Sequence, residues 1–155
     1  MKNTLATDDG RRREAGFSLI ELLVVIVIIG ILAAIVLTQV LHAYDKARQR
    51  ATMADMRTLS KALAAYDVDL GFLPANGTPM SAMASVLVPY QANVVPQEDH
   101  WNHLYVYTTS GAGDYSLESY GKDGIDGTNI SYATRWQFDQ DIVLSNGIFT
   151  ASPEM

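Results

Sequence analysis

The spacing of apolar and polar side chains changes character three times along the chain. Residues 1–16 are polar, and their few apolar side chains follow no period. From Leu22 to Leu37 no charged or strongly polar residue occurs. Phe17 to Leu37, at 1.5 Å per helical residue, spans about 31 Å, close to the hydrocarbon thickness of a bilayer. The pattern therefore predicts a membrane-spanning helix over 17–37. Gly30, near its middle, would weaken a soluble helix by about 1 kcal/mol relative to Ala. In lipid the same residue lets neighbouring helices approach closely. One side chain breaks the apolar run near its start, Glu21. A charge at a membrane-helix centre costs roughly 2.5–3.5 kcal/mol on insertion scales, so its presence needs a reason.

The helix is expected to continue past the membrane. No Gly or Pro occurs from Ile31 through Leu70, and the stretch is rich in Ala, Leu, Met, Lys and Arg, all good helix formers. Val40, Tyr44, Ala47, Ala51, Ala54, Thr58, Ala62 and Ala65 recur in alternating four- and three-residue steps. They predict one small, mostly apolar stripe on an amphipathic segment over 38–72. Gly71 and Pro74 end the pattern. The expected object is a single helix of about 50 residues, on the order of 75 Å long.

Beyond Pro74 the texture is that of a small β domain over 73–155. "SAMASVLVPYQ" reads as a short helix ending near Pro89. "HLYVYTT" and "YSLESY" alternate like strands and are joined by the glycine-containing "SGAGD", which fits a hairpin. "DIVLSNGIFTAS" reads as a further strand that bends at Asn146-Gly147. The fold class predicted is α+β, a long N-terminal helix packed on a small antiparallel sheet. Trp101, Tyr105, Tyr107 and Tyr115 are expected in its core or on a sheet face.

Charge sharpens this picture. The net charge is −6, and it is unevenly placed. Residues 1–16 carry Lys2, Arg11, Arg12 and Arg13 against Asp8, Asp9 and Glu14, whereas 71–155 hold nine acidic groups and only Lys122 and Arg135. Nucleic-acid binding needs a dense cationic face, so none is expected. Basic residues before a membrane segment stay on the cytoplasmic side, which places the N-terminus inside and the β domain outside. The chain has no cysteine, so no disulfide can reinforce a small exported core. A structural metal becomes more attractive, and the acidic excess favours a hard, oxygen-binding ion.

The segment "GFSLIELLVVIVIIGILAAIV" resembles the N-terminus of the type IV pilin and pseudopilin family. The resemblance implies that residues 1–16 are a leader cut after Gly16 by a prepilin peptidase, that Phe17 is then N-methylated, and that Glu21 is the fifth mature residue. In the family this carboxylate sits beside the N-terminal amine of a neighbouring subunit in a helical filament. Such a pair offsets two desolvation costs and fixes axial register. "YDVDLGFLP" is similar to the helix exit of the major pseudopilins of type II secretion. "DHWNHLYVY" resembles their Asp-Pro-Trp-Gly segment, with His100 in place of the proline and Asn102 in place of the glycine. Thr38 stands where many members have a proline, so a pre-set break in the helix is absent.

"YSLESYGKDGIDG", followed by "FDQDIVLSNGIF", looks like the C-terminal calcium loop of those pseudopilins. Calcium takes six to eight oxygens from carboxylates, carbonyls and water. The resemblance makes Asp123 and Asp141 the best-matched ligands, Asp139 next and Asp126 weaker, with backbone carbonyls near Tyr120 and Ile125. Asp139 and Asp141 are alternate residues and share a face if extended. The loop is not an EF-hand, because the alternating acidic positions and the terminal Glu are missing. "TNISYATRWQF" makes it longer than the family pattern. His100 and His103 form an H-x-x-H beside Asp99, read as surface or packing residues rather than as metal ligands.

No cysteine nucleophile, G-x-S-x-G elbow or glycine-rich phosphate loop before a helix supports an enzyme. The resemblance points to a non-enzymatic filament subunit, the major pseudopilin of type II secretion. The partners it implies are further copies of the chain, minor pseudopilins, the peptidase, and an inner-membrane assembly platform with its ATPase. Two other readings stay open at this point. One is a type IV pilin for motility, adhesion or DNA uptake, though such pilins often carry a C-terminal cysteine pair. The other is a soluble secreted binding protein cut near "LHAYD".

Overall fold

The computed structural model describes residues 16–90, 94–111, 113–127 and 137–153. The expected leader, apart from Gly16, and most of the "TNISYATRWQF" insertion lie outside these residues. One helix, α1, runs Leu19–Leu70 over 52 residues. Its start is set by Ser18, whose carbonyl accepts the N–H groups of Glu21 and Leu22 at 3.1 and 3.3 Å. Its end is set by Gly71, which takes φ +76, a left-handed conformation that glycine adopts without a Cβ penalty. Thr38 does not interrupt it. The hydroxyl donates back to the Ile35 carbonyl at 3.1 Å.

Up to Gln39 the chain forms one unit and from Val40 onward another. In the first, every described residue is exposed. Its apolar window has a mean hydropathy of 3.3 and is long enough to cross a membrane. Nothing lies within 4 Å of where a Cβ on Gly30 would sit.

Among the described residues the second unit adds α2 at Met80–Leu87, a 3-10 turn at Val88–Tyr90, and four strands. These are β1 (Val106–Thr109), β2 (Tyr115–Ser119), β3 (Ile142–Ser145) and β4 (Ile148–Ala151). They form one antiparallel sheet in the order β1-β2-β3-β4. The bend expected at Asn146-Gly147 is a two-residue hairpin loop, with Ser145 opposite Ile148 and φ of 50° and 83° at the two loop residues. Positive φ at both matches the primed turns that suit strand twist. Tyr105, Tyr107, Tyr115 and Trp101 are all buried, as expected.

The helix face that builds the core differs from the stripe read from sequence. Val40, Tyr44, Ala47, Ala54 and Thr58 are exposed, Ala51 and Ala65 are half-buried, and only Ala62 of that stripe is buried. The buried stripe is Asp45, Gln49, Thr52, Met56, Leu59, Leu63 and Tyr66, also in four- and three-residue steps. The reason is chemical: several of its members are polar but find partners across the core. Asp45 Oδ2 pairs with Lys122 Nζ at 2.7 Å. Thr52 Oγ1 accepts the His100 N–H at 3.2 Å, and Ser60 Oγ, beside the same stripe, meets the Tyr115 hydroxyl at 2.7 Å. A buried polar group with a partner is tolerated, so hydropathy alone misplaces this face.

Candidate functional site

The end of the sheet opposite the Asn146-Gly147 turn carries a cluster of carboxylates. In the register of β2 and β3, Glu118 faces Val143 and Ser119 faces Ile142. One step further along β3, Asp141 falls on the same side as Glu118, because side chains alternate along strands. Glu118, Asp126 and Asp141 each offer a carboxylate oxygen, and these oxygens lie within 4.8 Å of one another.

The loop after β2 delivers Asp126 by a close backbone fit. Gly121 has φ +64, and a Cβ there would lie 2.7 Å from the carbonyl oxygens of both Phe138 and Gln140. Only glycine allows the two segments to come so near. Lys122 N–H donates to the Phe138 carbonyl at 2.8 Å, which ties the two halves of the site together. Asp123 Oδ1 accepts the Ile125 N–H at 3.1 Å and so caps the next turn. Gly127 N–H then donates to Asp141 Oδ2 at 3.0 Å.

Asp141 is the centre of this arrangement. It is 2% exposed, and its Oδ1 has no hydrogen-bond partner among the described residues. Burial raises its pKa above the usual carboxylate value; the Gly127 N–H opposes this, while the charges of Asp126 and Asp123 add to it. Burial also raises the Tyr120 phenol, with Asp126, Glu118 and Asp141 adding to the effect. A Cβ on Gly127 would meet the Ile125 carbonyl oxygen at 3.6 Å and both Asp141 oxygens at 3.7 Å. Those are ordinary van der Waals distances, and they place the Ile125 carbonyl oxygen and the Asp141 carboxylate around the same point. An orphaned buried carboxylate oxygen, two further carboxylates and a nearby carbonyl form an all-oxygen donor set, which fits a hard cation.

Of the sequence candidates, the cluster includes Asp141 and the weaker candidate Asp126. Asp123 and Asp139 are exposed and fall outside the close group. Glu118 was not singled out. Its only signal is strand register, which becomes visible once β2 and β3 are paired. His100 and His103 take separate partners, Asp55 Oδ2 at 3.0 Å and the Gly121 carbonyl at 2.9 Å. Asn102 has φ +70, so it holds the left-handed conformation that a glycine would adopt easily.

At the other end of α1, Gly16 and Phe17 precede the helix and Glu21 lies in its first turn. Glu21 is exposed, and among the described residues its carboxylate has no partner. Its neighbours Ile20, Leu22 and Leu23 are exposed as well. A lone carboxylate on an apolar helix surface is costly in lipid and gains most from a cation supplied by another molecule.

Comparison with known proteins bears on the N-terminal segment and on the family. The family model described as type II secretion system protein G matches residues 39–134, and a prokaryotic N-terminal methylation motif matches residues 11–37. The chain is 32% identical over 130 residues to the type II secretion system core protein G of Pseudomonas aeruginosa, covering 76% of this chain and 89% of that one. It is 33% identical over 134 residues to the protein of the same name from Escherichia coli, covering 80% and 92%. No solved structure matches the chain. With one family model spanning most of the chain and these relatives matched over nearly their full length, the chain belongs to the type II secretion system protein G family.

Proposed function

We propose that this chain is the major structural subunit of a type II secretion pseudopilus, assembled from the inner membrane to help drive protein export across the outer membrane. The observation that carries this is Glu21, four residues after Phe17, with no partner among the described residues, on an exposed apolar helix within a matched N-terminal methylation motif. In this reading a prepilin peptidase cuts after Gly16 and Phe17 is methylated. Residues 17–37 anchor the subunit in the membrane and later pack in the filament core. The N-terminus is cytoplasmic and residues 73–155 are periplasmic. Assembly involves further copies of the chain, minor pseudopilins, an assembly platform and an ATPase. The chemistry is polymerisation, so no bond is made or broken by this chain.

Glu21 sets the stagger between subunits by pairing with the Phe17 amine of a neighbour. Only one axial offset satisfies both charges, and each alone would be left uncompensated in an apolar core. N-terminal sequencing of the mature chain should start at methylated Phe17. A start near Tyr44 would instead mark a soluble secreted protein. Glu21→Ala should still insert and be cleaved yet assemble poorly, and normal assembly would sink the register role.

The carboxylate cluster is proposed to hold calcium. Asp141, Asp126 and Glu118 are its inner oxygens. Asp123 and Asp139, implied by the resemblance, are proposed as outer members of the set. When bound, calcium supplies the positive charge that offsets the repulsion of these carboxylates. Binding assays on the five single amide variants rank their contributions. The largest loss is expected for Asp141→Asn, because its buried Oδ1 has no hydrogen-bond partner among the described residues.

A further inference from the structure

The turn at 99–103 is held from within. Asp99 Oδ1 accepts the N–H groups of Trp101 and His103 at 2.8 and 3.0 Å, and Asp99 N–H donates to the His103 carbonyl at 2.7 Å. Asp99 Oδ2 accepts the hydroxyl of Ser119 at 2.6 Å. Ser119 directly follows Glu118 on β2. One buried carboxylate, 4% exposed, therefore fixes both the backbone of His103 and the strand that carries an inner oxygen of the cation site.

The His103 ring reaches from this turn onto the acidic loop. Its Nδ1 lies 2.9 Å from the Gly121 carbonyl oxygen, and a carbonyl can only accept, so Nδ1 carries the proton. The ring also covers Gly124: a Cβ there would come within 2.6 Å of Nε2. Gly121 and Gly124 both have positive φ, at +64 and +67. Glycines at such positions leave the free loop many conformations, which must be restrained before Asp126 can meet Asp141.

We propose that His103 is a positioning residue of the cation site, holding the Gly121–Gly124 stretch so that Asp126 converges on Asp141 and Glu118. This rests on the calcium reading above. A partner behind the ligands typically contributes 10–100-fold in metal affinity.

The test uses the full-length chain in detergent micelles, with thermal midpoints recorded across calcium–EGTA buffers. His103→Ala should weaken calcium binding by about 10-fold or more. The midpoint in EGTA should move much less than the calcium-saturated one. His103→Asn, whose amide can replace the Nδ1 donor, should recover part of the affinity. Gly124→Ala should also weaken binding, because φ +67 disfavours any L side chain and the new methyl would meet the ring. A packing role alone would lower both midpoints equally and leave the calcium affinity unchanged, and that result overturns the proposal. A wild-type chain with no calcium response overturns the cation reading and this inference with it. A wild-type response that survives His103→Ala at full affinity overturns this inference alone.

Discussion

At the scale of single residues, two carboxylates carry most of the argument, and each is costly until something outside its immediate surroundings offsets it. For Asp141 the cost has a sign in pH. Burial is the main cause raising its folded pKa above 3.8, with Asp126 and Asp123 adding. The fold therefore binds a proton there more tightly than the unfolded chain does. This group's stabilising contribution is complete below about pH 3.8 and is lost as pH rises through the raised folded value. In EGTA, Asp141→Asn should gain on the wild type as pH rises from 4 toward 7, read as a growing difference in thermal midpoint. In saturating calcium the proposed site predicts an inverted order at neutral pH, because the ion would stabilise the wild type more than the variant. A difference that stays constant with pH would show that Asp141 does not titrate in this window. Glu21 is the other case: in the proposed filament its compensation comes from a second copy of the chain, so its loss should be read in assembly rather than in folding.

At the scale of elements, α1 beyond Val40 has one buried face and one exposed face. Leu63 is fully buried against the sheet side, whereas Ala54 and Thr58 lie exposed on the same segment. Leu63→Ala should cost about 2–5 kcal/mol of stability by opening a cavity, measured by denaturant unfolding. Ala54→Trp should change stability by about 0.5 kcal/mol or less, as surface substitutions do. It should nevertheless reduce filament formation if that face meets another helix. Much of this element was legible in the sequence. The absence of Gly and Pro through Leu70 gave the length, and Asn146-Gly147 gave the turn between β3 and β4. The buried face was not legible, because Asp45, Gln49, Thr52 and Ser60 are polar and break any apolar stripe on that side. Asp45, Thr52 and Ser60 are buried only because Lys122, His100 and Tyr115, distant in sequence, supply partners. The carboxylate cluster was half legible for the same reason. Asp141 and Asp126 sit in a recognisable loop, but Glu118 joins them only through the pairing of β2 with β3.

At the scale of the molecule, residues from Val40 onward must hold a small core without disulfides, and the acidic loop bears on whether they succeed. Lys122, within that loop, pairs with Asp45 on α1, while Gly121 lies against the backbone of 138–140. The loop therefore joins the helix, the end of β2 and the start of β3. A ligand that binds only the folded form stabilises it by RT ln(1 + [L]/Kd), about 2.7 kcal/mol at 100 times Kd. For a domain of roughly 100 residues, each kcal/mol shifts the melting midpoint by about 4–8 °C. Saturating calcium should therefore raise the midpoint by about 10 °C or more over EGTA. Magnesium should do much less, since it demands a near-octahedral site and sheds its water reluctantly. Asp45→Ala should lower the midpoint in both conditions while leaving most of the calcium-dependent increment, because it removes a brace of the loop and none of its inner oxygens. Equal midpoints with calcium and EGTA would mean that the carboxylates tolerate one another through solvent alone. The three-element junction would then rest on Lys122–Asp45 and the Gly121 contact without help from an ion.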